Sequence, residues 1–398
     1  MSKKIRLGLS LYPEQESLED IESYLKMASE RGFTKAFTSL FSVQGTKEEI
    51  IDYFKTFSAI AHRYGFEVDG DVNTAFFEMM GAKEDDLSVF KEMGIDILRM
   101  DAPFFDERDA TIVNNDQGIM IEFNTYMKDV IEQAVANGGN PKNICTCHNF
   151  YPQRYTCPAL EDVKEENRML ADYPVAMFMS SQEKGTHGPW PVSDGLPTVE
   201  EHRNIPIETQ LKHMVALKTV DEALIGNAFA SEAELDAIKN MMDKIYFHID
   251  HYDPKTEGED AMLAAVKKVL PSGDLVRIPL TMVLEEGVTD LEKEMLLDFP
   301  LHSVSGDSLN YMLRSRFPRF LCKGKTIEVR PVEKPFFEKG DVVIVNDNCR
   351  HYGGEVQIVM KPMENDGQRN LLGHIVEEEI FILDELKGND LFSFEVKE

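Results

Sequence analysis

Side chains that could do chemistry recur where strand-like runs end in the first 245 residues. The run 66–72 ends with Asp71 and leads to Asn73, and the run 96–101 contains Arg99 and ends with Asp101. Polar groups at the carboxyl ends of strands form the active sites of open and barrel α/β folds. The strand ends supply Tyr12, Glu14, Asp71, Asn73, Arg99, Asp101, Glu122, Asn124, His148, Asn149, Tyr151 and Asn227, and the loop after the seventh run adds Glu183, His187, Trp190, His202 and Arg203.

Carboxylates are the most frequent titratable groups in this set. Two carboxyl groups around one bond are what glycoside hydrolysis requires, because one protonates the leaving oxygen while the other stays ionised. Asp71, Asp101 and Glu14 are therefore the predicted catalytic residues, and the sequence does not decide which is acid and which is base or nucleophile. The alternative is that Asp71 and Asp101 cap helices or pair with Arg99.

The other members of the set are predicted to bind a substrate. Rings such as Tyr12, Tyr151 and Trp190 could stack on a sugar face. The predicted substrate-binding residues of the first 245 positions are Tyr12, Asn73, Arg99, Asn124, His148, Asn149, Tyr151, His187, Trp190, His202, Arg203 and Asn227.

Cofactor chemistry has weaker support. His148, His187 and His202 could ligate a metal together with Asp71 or Asp101, but no H-x-H or H-E-x-x-H spacing occurs. No lysine stands at a strand terminus in this part of the chain, which argues against Schiff-base chemistry. The loop from Gly185 to Gly195 lacks a phosphate-loop spacing and reads as a lid or rim. No metal and no organic cofactor are expected.

Arginines are the groups that could hold an anion in this acidic chain. Arg314 and Arg316 project to the same side if their segment is extended, and Arg350 follows later in the sequence. We predict these three as phosphate ligands. The alternative is that they only offset surface acidity.

Eight strand-like runs alternate with helical patterns across residues 1–245. This number and length predict a (β/α)8 barrel of the TIM type, with a doubly wound sheet as the rival. The barrel is favoured because polar clusters follow nearly every run, as a closed ring of loops requires. The fourth helix is predicted to be short or missing, since few residues separate the fourth and fifth runs.

The pattern changes after residue 245. A connecting segment over 246–272, with one helix near 260–269, precedes a smaller, mainly-β domain over 273–398. Short β-like runs predict strands there, at 275–285, 326–332, 340–346, 354–361 and 371–383.

Composition limits the partners. Lys and Arg total 42 against 71 Asp and Glu, for a net charge of −29, which disfavours nucleic acid and anionic membranes. Five Cys without a C-x-x-C pair fit a reducing compartment. With no signal peptide or membrane-spanning run in the pattern, we expect a cytoplasmic protein. A homodimer is compatible with the sequence, which does not determine the oligomeric state.

Several motifs together resemble the bacterial 6-phospho-N-acetylmuramidase family, long carried as a domain of unknown function and loosely labelled "outer surface protein". The most specific are CHNFYPQRYT at 147–156 and GLPTVEEHR at 195–203. LSLYPE at 9–14, RMD at 99–101, GPWP at 188–191 and IGNA at 225–228 accompany them, so the likeness covers most of the chain.

The resemblance implies a barrel fused to a cyclophilin-like β domain, acting in the cytoplasm during peptidoglycan recycling. It implies hydrolysis of the β-1,4 bond in a phosphorylated amino-sugar disaccharide, 6-phospho-N-acetylmuramyl-N-acetylglucosamine. Two alternatives stay open: a metal-assisted hydrolase or isomerase acting on another sugar phosphate, and a non-catalytic sugar-phosphate-binding protein.

Overall fold

The computed structural model describes residues 4–190, 192, 194–270, 274–307 and 310–397. Pro191, part of the GPWP motif, lies outside the described residues. The described chain forms two compact units, one extending to Asn240 and the other beginning at Met241. Among the described residues, no helix has the length and apolar character needed to cross a membrane.

The first unit is the predicted closed barrel of eight parallel strands. Each strand pairs with the next in chain order, and the eighth returns to the first. The strands are β1 (Arg6–Leu11), β2 (Phe33–Ser39), β3 (Glu67–Val72), β4 (Ile97–Met100), β5 (Met120–Asn124), β6 (Ile144–Cys147), β7 (Val175–Met179) and β8 (Glu222–Ile225).

Helices separate consecutive strands and bury one face on the barrel. The first begins at Ser17, whose side chain accepts from the Asp20 amide, and the second at Thr46, which forms a capping box with Glu49. The helices are α1 (Leu18–Ser29), α2 (Lys47–Arg63), α3 (Thr74–Met79), α4 (Ser88–Glu92), α5 (Arg108–Val113), α6 (Lys128–Ala136), α7 (Leu160–Met169), α8 (Ile207–Leu217) and α9 (Glu232–Ile245). The helix between β4 and β5 has only six residues, which confirms the prediction of a short one.

The second unit is mainly β. One sheet has the order β11-β18-β10-β17-β14-β15-β12, with β9 paired to β10, while β13 and β16 pair separately. An isolated bridge between Val304 and Ser315 brings the two ends of the sheet order together, so the sheet nearly closes. Its elements are β9 (Tyr246–His248), α10 (Glu257–Val269), β10 (Asp274–Leu284), α11 (Asp290–Lys293), β11 (His302–Ser303), β12 (Met312–Ser315), α12 (Pro318–Leu321), β13 (Phe336–Phe337), β14 (Asp341–Val345), β15 (Val356–Val359), β16 (Met363–Glu364), β17 (Arg369–Ile375) and β18 (Leu391–Val396).

One predicted strand of this unit is wrong, and a second is predicted too long. The run 326–332 forms no strand, and the Arg330 amide donates to the Asn370 side chain at 3.0 Å instead of to a strand partner. The run 371–383 forms a strand only as far as Ile375 and continues as a 3₁₀ helix over Glu377–Glu385. There the Glu379 carboxylate accepts from the Thr281 amide at 2.8 Å. The strands β12 and β18 were not predicted.

Candidate active site

A cavity of about 260 Å³ lies at the carboxyl ends of the barrel strands. It brings together one group of the predicted residues and leaves others outside its lining. The predicted residues that line it are Tyr12, Asp71, Arg99, Asp101, Asn149 and Trp190. The lining residues that sequence reasoning missed are Phe37, Ser39, Phe41, Phe150, Phe178 and Pro189.

Arg99 links the polar side of this cavity. Its Nη1 donates to Asp71 Oδ1 at 3.0 Å, and its Nη2 donates to Asn149 Oδ1 at 2.5 Å. Asn124 Nδ2 donates to the same Asn149 oxygen at 2.5 Å. Because guanidinium has donors only, the Asn149 carbonyl must face Arg99, which leaves its amide nitrogen to donate to a ligand.

Asp71 is a carboxyl group with altered acidity. It is 7% exposed, and burial raises its pKa to about 6, against the opposing effect of Arg99. Asp101 follows β4, is exposed, and adds a repulsive charge that also raises the pKa of Asp71. The cavity therefore holds two carboxyl groups in contrasting surroundings.

Aromatic rings form the other side of the cavity. Phe150 lies 5.0 Å from Phe178 and 6.2 Å from Trp190 between ring centroids, and Phe37 contacts both phenylalanines edge-on. Trp190 is 46% exposed and offers a free ring face at the cavity wall. Phe37 could have been found from its parity, since positions 35, 37 and 39 of one strand share a face.

Below the cavity, the barrel interior holds charged side chains that we call the buried charge chain: Lys35, Asp69, Asp71, Arg99, Glu122 and Glu222. Lys35 is fully buried, and its Nζ lies 2.9 Å from an oxygen of Asp69, Glu122 and Glu222. Glu122 Oε1 lies 3.5 Å from Arg99 Nε, which joins this group to the cavity.

His148 is placed away from the cavity lining. Its Nδ1 lies 2.9 Å from Thr125 Oγ1 and its Nε2 lies 2.6 Å from Asn167 Oδ1. Burial lowers its pKa to about 4, so the ring is neutral at physiological pH. The structure thus gives His148 partners in the scaffold.

Arg203 joins two loops. It donates to Glu200 and to the backbone carbonyls of Tyr151, Gln153 and Asp194. Tyr151 itself is not a lining residue of the cavity, and its amide donates to Pro197 O.

Further predicted residues have their own local partners. Asn227 Oδ1 accepts from the Ser181 amide at 2.9 Å, and Asn73 Oδ1 caps α3 by accepting from the Phe76 amide. His202 Nε2 lies 2.8 Å from His213 Nδ1 in the buried interior.

Glu14 and His187 flank Tyr12 without lining the cavity. Glu14 accepts from Ser42 Oγ at 2.7 Å. His187 packs 6.3 Å from the Tyr12 ring, and its Nε2 lies 3.6 Å from Glu16. It lines a separate, shallow depression beside the α1 helix.

The arginines predicted as phosphate ligands belong to the second unit. As their extended spacing predicts, Arg314 and Arg316 approach the same carboxylate, Glu355, with closest distances of 2.6 Å and 3.8 Å. Arg316 also pairs with Asp307 at 2.7 Å. Arg350 is exposed.

The described residues contain no group of three or more His, Cys, Asp and Glu side chains arranged to hold a metal ion.

A (β/α)8 barrel with two carboxyl groups and aromatic walls at its mouth has the parts of a barrel glycosidase. A family model described as 6-phospho-N-acetylmuramidase, N-terminal, matches residues 7–240, and one described as 6-phospho-N-acetylmuramidase, C-terminal, matches residues 278–395. The chain therefore belongs to the 6-phospho-N-acetylmuramidase family, a family of glycosidases, which confirms the resemblance seen in the sequence.

Solved structures agree with this fold. An uncharacterized B. cereus protein is 32% identical, with a TM-score of 0.80 and coverage of 98% of this chain and 99% of that chain. A conserved Enterococcus faecalis protein with an unknown function is 21% identical, with a TM-score of 0.65 and coverage of 98% and 96%, and shows the fold alone. Among curated proteins, none matches the chain.

Proposed function

We propose that the chain hydrolyses the β-1,4 bond of 6-phospho-N-acetylmuramyl-N-acetylglucosamine in the cytoplasm, as a step of peptidoglycan recycling. The observation that carries the proposal is the cavity that holds Asp71 and Asp101 beside an aromatic wall. Family membership supports the choice of a phosphorylated muramyl substrate.

Asp71 is the proposed general acid. Its pKa of about 6 is already raised by burial, and a sugar that fills the cavity would displace water and raise it further. Protonated Asp71 would then donate its proton to the leaving glycosidic oxygen. Asp101, at the exposed side, is the proposed base or nucleophile. Glu14 is the alternative candidate for that role, because it lies two residues after Tyr12 in the sequence.

We propose that hydrogen-bond donors and an aromatic ring bind the substrate. The amide nitrogen of Asn149 is free to donate to a hydroxyl or acetamido oxygen of the sugar, because its oxygen is already occupied by Arg99 and Asn124. Trp190 supplies a stacking face. Arg314, Arg316 and Arg350 remain the proposed ligands of the phosphate and lactyl groups, and Arg350 is the exposed one of the three.

The test is incubation of the purified chain with the phosphorylated disaccharide and with its unphosphorylated counterpart, followed by mass detection of products. We expect two monosaccharides from the phosphorylated substrate and at least about tenfold slower release from the other, since a lost charge-assisted contact is worth 1.5–3 kcal/mol in typical cases, roughly a factor of ten or more. Equal rates would contradict the proposed substrate. Saturable binding without product over hours would favour a sugar-phosphate-binding protein instead.

A further inference from the structure

The buried charge chain contains more carboxyl groups than cations. Lys35 and Arg99 face four carboxyl groups, while Glu222 has additional help from Arg6 at 3.3 Å. In a buried cluster such an excess is relieved by retention of a proton. Burial, reinforced by repulsion from Glu122, raises the pKa of Asp69 well above its ordinary range.

Glu122 connects the two cations of the chain. Its Oε2 lies 2.9 Å from Lys35 Nζ, and its Oε1 lies 3.5 Å from Arg99 Nε. The two remaining nitrogens of Arg99 then point to Asp71 and Asn149 in the cavity. Arg99 Nε and Glu122 Oε1 are both buried without a hydrogen-bond partner among the described residues, and they form an ion pair at 3.5 Å.

Close packing keeps this arrangement in place. A Cβ at Gly8 would lie 2.2 Å from Leu224 Cδ2 and 3.1 Å from Lys35 Cβ, so the glycine on β1 leaves room for Leu224 and relieves a tight contact with Lys35. Glu122 is 0% exposed.

We propose that Glu122, anchored by Lys35, is a positioning residue of this active site that holds the Arg99 guanidinium in the orientation binding Asp71 and Asn149 together. The inference rests on the proposed function in one respect, because it takes Asp71 as the acid. It goes further in assigning a role to a carboxylate that does not line the cavity and touches no substrate.

The charges around Asp71 determine the sign of the expected effect. The ionisable groups facing it are Tyr12 from the end of β1, Arg99 and Asp101 from β4 and the residue after it, and Glu122 from β5. A Glu122→Gln substitution removes one repulsive charge, which lowers the Asp71 pKa, and it frees Arg99 to turn away from Asp71, which raises the Asp71 pKa. Arg99 acts on Asp71 through its charge and a hydrogen bond, and its charge has a larger effect than the charge of Glu122, so a positioning role predicts a net rise.

The experiment compares pH profiles of kcat/KM for the wild type and Glu122→Gln on the phosphorylated disaccharide. A general acid is active when protonated, so activity falls as pH rises through its pKa. We expect this alkaline limb to move to higher pH by about half a unit or more, with a rise in KM from the loosened Asn149. Glu222→Gln is the matched control, because it removes another carboxylate on Lys35 and leaves the Arg99 contact intact, so its limb should stay in place.

A second measurement is independent of turnover. Carbon-13 NMR of the Asp71 carboxyl, assigned with Asp71→Asn, should show a higher titration midpoint in Glu122→Gln and an unchanged one in Glu222→Gln. If the wild type does not cleave the disaccharide and the midpoint still moves upward, the proposed function fails and the positioning role stands. If cleavage occurs and the limb and midpoint stay in place or move downward, Glu122 acts at most through its charge and the positioning role is overturned.

Lys35→Met covers the case in which Glu122→Gln does not fold. Loss of this cation releases Glu122 and adds uncompensated negative charge, so the Asp71 midpoint should move upward, in the same direction as the Glu122→Gln shift. A shift downward or none at all would overturn the proposal. Failure of both variants to fold would overturn it as well, since it would assign the buried charge chain to stability alone.

Discussion

Two polar regions at the rim of the barrel differ in how completely their groups are used. On the β3–β6 side, Asp71, Arg99 and Asn149 form a connected set with donors and acceptors still facing a cavity. On the β7–β8 side, the Arg203 guanidinium is surrounded by Glu200 and backbone carbonyls. Both regions are rich in polar residues, so polarity alone does not identify the reactive one.

The Glu234 carboxylate is a second group on the β7–β8 side that is hydrogen-bonded within the protein. It accepts from the Gln182 amide at 2.7 Å and from Ser181 Oγ at 2.5 Å, and so occupies one backbone donor and one hydroxyl donor at this rim. Barrel enzymes often bind phosphate after strands seven and eight. Here the Glu234 carboxylate lies in that region. We therefore expect substitutions on the β3–β6 side to change activity and substitutions on the β7–β8 side to change stability.

The largest expected effect comes from Asp71→Asn. Loss of the proposed acid should reduce kcat by about 10²- to 10⁴-fold on the disaccharide, because proton transfer to the leaving oxygen is removed. An aryl glycoside of the same phosphorylated sugar needs little protonation and should lose far less. The measurement is steady-state kinetics on both substrates.

Glu234→Gln is the matched control on the opposite side. It should keep kcat within about threefold and lower the free energy of unfolding by about 1–2 kcal/mol, since charge-assisted hydrogen bonds become neutral ones. A larger kinetic loss in Glu234→Gln than in Asp71→Asn would reverse the comparison.

The next effect is the pH dependence of stability at His148. Its pKa is about 4 in the folded chain and about 6.5 when unfolded, so the unfolded state binds more protons between these values. Stability should therefore fall as pH drops from about 6.5 to about 4, by up to about 3 kcal/mol. His148→Gln should flatten this slope relative to the wild type in urea unfolding, with kcat nearly unchanged.

Asp71 provides the opposite sign in an overlapping window. Its folded pKa of about 6 exceeds the unfolded value of about 3.9, so the folded state binds more protons there and its contribution to stability falls as pH rises. Asp71→Asn should therefore gain stability relative to the wild type as pH increases from about 4 to about 6. Equal pH slopes of stability in Asp71→Asn and in the wild type would contradict the buried environment assigned to Asp71.

Arg203→Lys should act on stability more than on chemistry. Lysine keeps the charge and loses the planar set of donors that binds Glu200 and three carbonyls, at a cost of about 2 kcal/mol in the free energy of unfolding. Arg99→Lys should raise the activation free energy derived from kcat/KM by more than it lowers the free energy of unfolding. Chemical denaturation together with kinetics separates the two outcomes.

The sequence predicted the barrel scaffold. It did not separate the polar residues that line the cavity from those whose partners are loop backbone groups. Strand-end polarity led to Asp71, Arg99 and Asn149, which line one cavity in the structure, because parallel strands bring their carboxyl ends to one rim. It could not show that Arg203 and Asn227 are saturated by loop backbone, since those partners come from segments whose conformation has no simple pattern. Phe178 was missed because an aromatic in a buried strand has the same signature in a core as in a cavity wall, whereas Phe37 could have been found because it shares a strand face with positions 35 and 39. Lys35 was missed because its carboxylate partners lie on β3, β5 and β8, which only barrel closure brings together.

The smallest effect tests the aromatic wall. Trp190→Ala should raise KM about fivefold, equivalent to about 1 kcal/mol of stacking, with little change in kcat because the ring lies at the cavity wall and not at the scissile bond. Trp190→Phe should recover most of this loss. Tyr155 is the matched control, because it is 86% exposed and does not line the cavity, so Tyr155→Ala should leave KM unchanged. If Tyr155→Ala raised KM as much as Trp190→Ala, the sugar would also contact the exposed rim outside the cavity. The sugar-binding region would then extend from the β3–β6 side toward β7.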